Sequence, residues 1–273
     1  MTSATKTLTT RHGPMLSLKG DVYMTTCLEV YGEFSPGEWQ LFEKVIRPGM
    51  TVVEIGANIG AHTVPMARAC RPGPMYVFEP QQRIFQILCA NLALNDIDNV
   101  IASPDACGPE AGRAVIPPMD YAGKENFGGV SLIAEGSAGQ SVRVMPLDEL
   151  NLPACGLIKI DVEGFEAEVL AGAAATILRC RPLLYVENDR PEHQVQLIRL
   201  IEALGYDLYW HTPPLAGPGN FNGHESLVFE KNILSLNMLC LPRERVMKTD
   251  LEAIDPAHPR LAAALGGGPA GGG

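Results

Sequence analysis

The alternation of short apolar runs with helix-length segments is the feature that most constrains the fold of this chain. Seven such runs occupy residues 51–55, 75–79, 99–103, 157–161, 183–187, 206–211 and 236–242. Segments with helical spacing fill the gaps at 59–71, 81–95, 164–179 and 191–204. Strands that are apolar on both faces and separated by helices belong to a parallel sheet covered on both sides. The pattern therefore predicts a doubly wound α/β domain.

The last two runs depart from this rhythm. The segment between Trp210 and Leu236 is rich in Pro, Gly and Asn and lacks a helical pattern. We therefore expect the last two strands to be antiparallel neighbours joined by a long loop, which at this length tends to be functional. A second irregular segment, at about 107–146, predicts a small β insertion.

The limits of the domain follow from local composition. Residues 1–13 are polar and are predicted to be a flexible N-terminus, and the glycine-rich residues 261–273 are predicted to be a disordered tail. Residues 14–260 then form one domain, with an N-terminal cap at about 14–48. Within the cap, the sequence Ser-Pro-Gly-Glu at 35–38 predicts the start of a helix.

Charge and composition exclude several partners. The formal charge is −10 and no basic patch is visible, whereas nucleic-acid binding is usually driven by clustered Lys and Arg. No run approaches the ~18 apolar residues of a membrane span, and the N-terminus lacks a signal-peptide core. The seven cysteines are scattered singly without a CxxC pair and are predicted to be reduced thiols. We expect a cytoplasmic protein that binds neither nucleic acid nor membrane.

The loop after the first apolar run has the sequence Glu-Ile-Gly-Ala-Asn-Ile-Gly at 54–60. A glycine turn between a strand and a helix presents backbone N–H groups and a positive dipole end to a ligand. The loop lacks the G-x-G-x-x-G of dinucleotide sites, and no Lys-Ser or Lys-Thr follows it as in a P-loop. The spacing E-x-G-x-N-x-G resembles the first motif of the Rossmann-like class of S-adenosylmethionine-dependent methyltransferases. An acid before the first glycine would repel a diphosphate but suits the sulfonium and ammonium of this cofactor. The resemblance implies that Glu54, Gly56, Asn58 and Gly60 bind it.

A second acid supports this interpretation. Glu79 ends the second predicted strand, where a carboxylate can accept hydrogen bonds from both ribose hydroxyls. Pro80, which follows it, is also predicted to contact the cofactor, as are Asp105 and Ala106 after the third strand and Asp161 after the fourth.

Four blocks of the sequence resemble the FkbM family of methyltransferases, in the same order and at comparable spacing. They are VVEIGANIGAHTVPMA (52–67), YVFEPQQRIFQILCANLALNDIDNV (76–100), LIKIDVEGFEAEVLAGA (157–173) and LLYVENDR (183–190). The resemblance covers about residues 30–245. It implies a Rossmann-like class I fold with a seven-stranded, mostly parallel sheet, an antiparallel last hairpin and helices on both faces. It also implies S-adenosylmethionine as methyl donor and O-methylation of a hydroxyl, typically on a sugar or secondary metabolite.

Acidic residues follow the fourth and fifth predicted strands. Asp161 ends one strand, and Glu187 with Asn188 ends the next. The arrangement resembles the magnesium site of catechol-type O-methyltransferases, where a hard cation orients a hydroxyl and lowers its pKa. The alternative is that Asp161 and Glu187 hydrogen-bond the acceptor directly and act as catalytic groups. We favour the second alternative, so Mg²⁺ remains an optional cofactor.

Two further side chains are candidate bases. Lys159 shares strand parity with Asp161 in an apolar strand, and a buried lysine is costly unless paired. It is therefore predicted to form an ion pair with Glu54 or another acid on the adjacent strand, or to act as a tuned base. His211 ends the sixth strand beside the long loop and is a candidate for proton abstraction. His62 opens the first helix, where it could contact the cofactor carboxylate.

Other functions remain open from the residues alone. An NAD-dependent oxidoreductase would use a similar fold, and a catalytically silent cofactor-binding protein would use the same loop. Amino-group methylation of nucleobases is disfavoured, because the fourth strand is followed by Asp-Val-Glu-Gly at 161–164 rather than by N/D-P-P-Y/F/W. The predicted partner is a small-molecule or glycan acceptor with a hydroxyl, and a homo-oligomer is left open.

Overall fold

The computed structural model describes residues 4–229 and 233–255. In chain order the strands are β1 (Thr5–Thr10), β2 (Gly13–Leu18), β3 (Val52–Ile55), β4 (Met75–Phe78), β5 (Val100–Ser103), β6 (Ala106–Cys107), β7 (Gly112–Ile116), β8 (Gln140–Met145), β9 (Leu157–Ile160), β10 (Leu183–Glu187), β11 (Tyr206–His211), β12 (Asn237–Pro242) and β13 (Glu252–Ala253). The helices are α1 (Met24–Val30), α2 (Pro36–Val45), α3 (Thr63–Cys70), α4 (Gln82–Leu94), α5 (Glu166–Gly172), α6 (Ala174–Cys180) and α7 (Pro191–Ala203).

The main sheet confirms the predicted class I fold. Its strand order is β13-β11-β12-β10-β9-β3-β4-β5, and the five strands from β10 to β5 in this order are parallel. β12 pairs antiparallel with β10 and with β11, which gives the expected reversed hairpin. The carboxyl ends of the parallel strands meet at one edge, where ligands bind in open α/β sheets.

Helices cover both faces of the sheet because its central strands are apolar on both sides. All four residues of β3 and of β9 are buried. On one face Val53 packs in a cluster with Val169 and Ile177 of α5 and α6. On the other face Val52 packs in a cluster with Phe42 of α2 and further side chains of α3 and α4. The glycine loop and the acidic strand ends are therefore held on a rigid frame.

Two details of the sheet and helices differ from the prediction. An eighth strand, β13, pairs antiparallel with the outer edge of β11, so the sheet is one strand wider than expected. The helix predicted at 164–179 is divided into α5 and α6 at Ala173, which is fully buried. Its φ of −111° and ψ of 4° are not helical, so the division lies where the chain packs against the core.

The N-terminal residues also differ from the expectation of a flexible segment at 1–13. Strand β1 lies within this range and pairs antiparallel with β2. Met15 and Leu18 of β2 are buried in a cluster with Ile84 and Ile87 of α4, and the Leu16 N–H donates to Asn91 Oδ1 at 2.6 Å. The hairpin is held by this apolar contact, which its threonine-rich sequence conceals.

The remaining segments complete the domain. Within about 107–146, the strands β7 and β8 pair with each other, and β6 joins them in a separate three-stranded sheet. The predicted helix start at Ser35 is the N-cap of α2, where the Ser35 hydroxyl donates to Glu38 Oε1 at 2.8 Å. All seven cysteines are free. Among the described residues, no helix has the length and apolar character needed to cross a bilayer. The glycine-rich tail lies outside the described residues.

Candidate active site

Two adjoining cavities lie at the carboxyl edge of the parallel strands. One, the acidic cavity, has a volume of about 250 Å³. Its lining includes eight carboxylates: Asp21, Glu38, Glu54, Glu79, Asp161, Glu163, Glu187 and Asp189. The other, the apolar cavity, is lined largely by Ile55, Phe78, Ile116, Val130, Leu132 and Phe165. Gly56, Glu79, Gly128, Asp161 and Glu163 line both cavities, so the two form one continuous cleft.

The sequence-predicted residues divide between these cavities. Pro80, Asp105 and Ala106 line the apolar cavity. Glu54, Asn58 and Lys159 line the acidic cavity. The fold therefore brings together side chains from four of the parallel strands and their following loops.

The two glycines of the loop serve packing. Gly56 has φ +86°, and a Cβ at this position would lie 1.7 Å from the carbonyl oxygen of Asp161. Gly60 has φ +90°, and its Cβ would lie 2.7 Å from Leu88 Cδ1 of α4. Both positions require glycine. Gly56 also lines the cleft, whereas Gly60 lines neither cavity.

Glu79 is an acid of the cleft that two backbone N–H groups hold in place. Its Oε2 accepts from the Asn58 N–H and its Oε1 accepts from the Gln81 N–H, each at 2.9 Å. Burial raises the pKa of Glu79 to about 7, although these two hydrogen bonds oppose the shift. Each carboxylate oxygen has two lone pairs, so each retains one for a ligand in the cleft.

Lys159 is held by two carboxylates. Its Nζ donates to Asp161 Oδ2 at 2.8 Å and lies 3.7 Å from Glu54 Oε1. The parallel register pairs Glu54 with Lys159 directly, as the ion-pair interpretation predicts. Burial acts to lower the pKa of Lys159, but Asp161 and Glu54 outweigh it and raise the pKa above its ordinary value. The raised pKa favours a protonated Lys159, and so the ion-pair interpretation over the role of tuned base.

Asp161 and Glu187 have opposite protonation preferences. Burial acts to raise the pKa of Asp161, but Lys159 outweighs it and lowers the pKa below its ordinary value. Burial, followed by the charge of Asp161, raises the pKa of Glu187 well above its ordinary value. Asp161 and Glu187 line the same cavity, and Glu187 Oε2 is buried with no hydrogen-bond partner among the described residues. Two carboxyl groups whose pKa values are shifted in opposite directions are an arrangement that can take up or release one proton as a pair.

Two predicted residues do not belong to the cleft. His211 lines neither cavity, and its Nδ1 lies 2.8 Å from the Tyr185 hydroxyl. It was expected at the site because it ends a strand, but β11 lies beyond β12 and away from the parallel strand ends. Asn188 is buried, and its Nδ2 donates to the Gln194 carbonyl. It faces away because alternate residues of an extended chain point in opposite directions.

Of the predicted metal ligands Asp161, Glu187 and Asn188, only the first two line the acidic cavity. Among the described residues, Glu163, Glu187 and Asp189 form a group of acids that could hold a metal ion, with one ligand atom of each within 4.8 Å of the others. Arg190 forms an ion pair with Glu163 and lies 3.5 Å from Asp189 Oδ1. A cation of the protein itself thus already neutralises part of this trio.

Two buried residues of the acidic cavity were not among the site residues predicted from the sequence, although His62 was considered as a possible contact of the cofactor. His62, the N-cap of α3, is only 7% exposed. Its Nδ1 lies 3.9 Å from Oε2 of Glu38, which is equally buried. The signal that could have found them is the cap helix α2, because Glu38 in its first turn was considered only as a helix cap.

Comparison with known proteins identifies the family. The profile of the methyltransferase FkbM domain matches residues 54–208, more than half of the chain. The chain belongs to the FkbM methyltransferase family. It is therefore an S-adenosylmethionine-dependent methyltransferase. The matched residues contain the glycine loop, Glu79, Lys159 and the acids that follow β9 and β10.

Solved structures of other methyltransferases are similar to this methyltransferase. The FkbM methyltransferase from Methylobacillus flagellatus is 16% identical, with a TM-score of 0.46 over 74% of this chain and 50% of that chain. The precorrin-6y C5,15-methyltransferase from Geobacter metallireducens is 11% identical, with a TM-score of 0.45 over 74% of this chain and 85% of that chain. No curated protein matches. Likenesses at this level identify no acceptor.

Proposed function

We propose that this methyltransferase transfers a methyl group to a hydroxyl of a sugar or secondary metabolite. The observation that carries the proposal is the position of Asp161, which lines the cleft together with Glu187 and accepts a 2.8 Å hydrogen bond from Lys159 Nζ that favours its ionised form. A hydroxyl that receives a methyl group must lose its proton, and an ionised carboxylate within the cavity can accept that proton.

The methyl donor would occupy both cavities. The free lone pairs of Glu79 would accept the two ribose hydroxyls at the junction. The apolar cavity, with Pro80, Asp105 and Ala106, would take the adenine ring. The acidic cavity would then take the amino-acid end, and its many carboxylates suit the positive charge of the sulfonium. S-adenosylmethionine supplies an electrophilic methyl group when bound.

The residues of this chain have three tasks in such a reaction. Lys159 fixes the Asp161 carboxylate through the 2.8 Å hydrogen bond and keeps it ionised. Asp161 Oδ accepts the hydrogen bond of the acceptor hydroxyl and then its proton. Glu187 lines the same cavity, and its raised pKa would allow it to donate a hydrogen bond towards Asp161 and so help to hold that carboxylate in place.

Direct hydrogen bonding by the acids is favoured over a Mg²⁺ site. Only two of the three predicted metal ligands line the cavity, and one of them is already bound to Lys159. A catalytic Mg²⁺ needs near-octahedral oxygen ligands, which a protonated carboxyl and an ion-paired carboxylate supply poorly.

Two measurements test the proposal. Thermal unfolding with S-adenosylhomocysteine and with NAD distinguishes the donor: we expect stabilisation by the first alone, of ~2.7 kcal/mol at a hundredfold excess over Kd. Transfer of a labelled methyl group to a panel of sugars, polyketide alcohols, amines and nucleosides then distinguishes the acceptor. Labelled products confined to hydroxyl compounds support O-methylation, and labelled amines or nucleobases would contradict it. Stabilisation by NAD would favour the oxidoreductase instead.

A further inference from the structure

His62 is a buried polar side chain with an unused nitrogen. Its ring lies between Phe34 and Phe42, with centroid separations of 5.8 and 5.6 Å. Its Nε2 has no hydrogen-bond partner among the described residues. The side chain nevertheless lines the acidic cavity. Because native proteins rarely leave a buried polar atom unpaired, a ligand in the cavity is the natural partner of this nitrogen.

The surroundings of the ring decide what kind of ligand this is. Nδ1 faces the Glu38 carboxylate, whose Oε2 lies 3.9 Å away. Burial lowers the pKa of His62, which favours the neutral imidazole with one N–H. With the Glu38 carboxylate on the Nδ1 side, the proton belongs on Nδ1. Nε2 therefore offers a lone pair and needs a hydrogen-bond donor.

The charges around His62 favour a cationic donor. Glu38 and Glu54 line the same cavity and are 3% and 1% exposed. The one lysine of the cavity lining, Lys159, is already engaged by Glu54 and Asp161. A carboxylate placed beside His62 would meet Glu38 and Glu54 at short range, whereas an ammonium group would be attracted by both. The glycine-loop residues Gly56, Ala57 and Asn58 line the same cavity and bring the amino-acid end of the methyl donor within reach.

We infer that His62, oriented by Glu38, accepts a hydrogen bond from the α-ammonium group of S-adenosylmethionine and thereby selects for the amino group of the cofactor. The inference rests on the proposed placement of the methyl donor. It assigns a recognition role to the N-terminal cap, because Glu38 and Phe34 both lie outside the residues matched by the family profile.

Calorimetry with three ligands tests this role without knowledge of the acceptor. The ligands are S-adenosylhomocysteine, its analogue without the α-amino group and its analogue without the α-carboxylate. His62→Phe keeps a ring between Phe34 and Phe42 but removes both nitrogens. We expect it to weaken the two amino-containing ligands about tenfold and to leave the deaminated analogue unchanged. Equal losses for all three ligands, or none, would overturn the inference.

The wild-type protein provides an independent readout if His62→Phe does not fold. It should bind S-adenosylhomocysteine at least about tenfold more tightly than the deaminated analogue, and equal affinities would overturn the inference. His62→Gln, whose side-chain carbonyl can also accept a hydrogen bond, should recover part of the loss. A wild-type protein that bound none of the three ligands would contradict the proposed function, and this inference with it.

Discussion

The apolar and acidic cavities differ in where their lining comes from. Every residue that lines the apolar cavity lies between positions 55 and 165, within the residues matched by the family profile. The acidic cavity adds side chains from the N-terminal cap, including Asp21 and Glu38, and from the end of the long loop at 233–236. The family match therefore describes the half of the cleft assigned to adenosine. The other half, to which the proposal assigns the amino-acid end of the donor and the acceptor, is completed by segments outside that match.

The cavities also differ in what stabilises them. The apolar cavity is lined by side chains that also pack in the core. The acidic cavity concentrates carboxylates whose pKa values are shifted in both directions. Among the substitutions considered below, removal of Lys159, the single lysine among the described residues that line the acidic cavity, should therefore have the largest effect.

Lys159→Met should destabilise the fold by about 3–5 kcal/mol, because it leaves Glu54 buried without its cation. The measurement is the free energy of unfolding in denaturant. Lys44→Met, at an exposed position of α2, is the matched control and should change stability little. Adding Glu54→Gln to Lys159→Met should recover part of the loss. A Lys159→Met protein as stable as wild type would show that the acidic cavity does not depend on this ion pair.

Glu79→Ala should weaken S-adenosylhomocysteine at least about a hundredfold, because two charge-assisted hydrogen bonds of about 1.5–3 kcal/mol each are lost. Glu79 also holds the Asn58 and Gln81 amides, so the loop should loosen as well. Calorimetry measures the affinity, and Glu110→Ala, at an exposed glutamate, controls for the change in charge. Undiminished affinity would contradict the proposed contact between Glu79 and the ribose hydroxyls.

Asp161→Asn should lower kcat/KM at least about a hundredfold with an acceptor found in the panel, because the proton acceptor is lost. Activity should be unaffected by EDTA if the acids bind the hydroxyl directly. His211→Phe, outside both cavities, should keep kcat/KM within about twofold. Loss of turnover in EDTA and its recovery with Mg²⁺ would instead establish the metal alternative.

The pH dependence of the free energy of unfolding should report the shifted pKa values of the carboxyl groups in the acidic cavity. Burial raises the pKa values of Glu54, Glu79 and Glu163 from 4.5 to about 7. Between pH 6.5 and about 8 the folded state thus binds more protons than the unfolded state, so the free energy of unfolding falls as pH rises. Histidines whose pKa values are lowered in the folded state make the free energy of unfolding rise with pH, but mainly below their ordinary pKa of 6.5. Denaturant unfolding of Glu163→Gln should show a shallower fall, and an identical slope would argue against proton binding by Glu163.

The sheet could be predicted well because its central strands have a clear sequence pattern. Runs such as 51–55 and 157–161 are apolar on both faces, and the observed strands β3 and β9 lie within them. The pairing of Glu54 with Lys159 was also predictable, because a lysine in such a strand needs a carboxylate on its neighbour. The antiparallel pairing of β11 with β12 was predicted correctly because the sequence between them lacks the pattern of a crossover helix.

The predicted site differs from the observed cleft at Asn188 and His62 for a common physical reason. Asn188 was placed at the cleft from its position next to Glu187, yet alternation puts Glu187 and Asp189 on one side and Asn188 on the other. His62 was undervalued because its burial depends on Phe34 and Phe42, which lie far from it in the sequence. Side chains brought together by long-range packing cannot be recognised from local pattern alone.

A crystal structure of the complex with S-adenosylhomocysteine tests the division of the cleft most directly. Adenine should lie in the apolar cavity beside Asp105 and Ala106, both ribose hydroxyls should contact Glu79, and the amino-acid end should lie in the acidic cavity and face His62. Adenine bound in the acidic cavity, or a ribose without contact to Glu79, would contradict it.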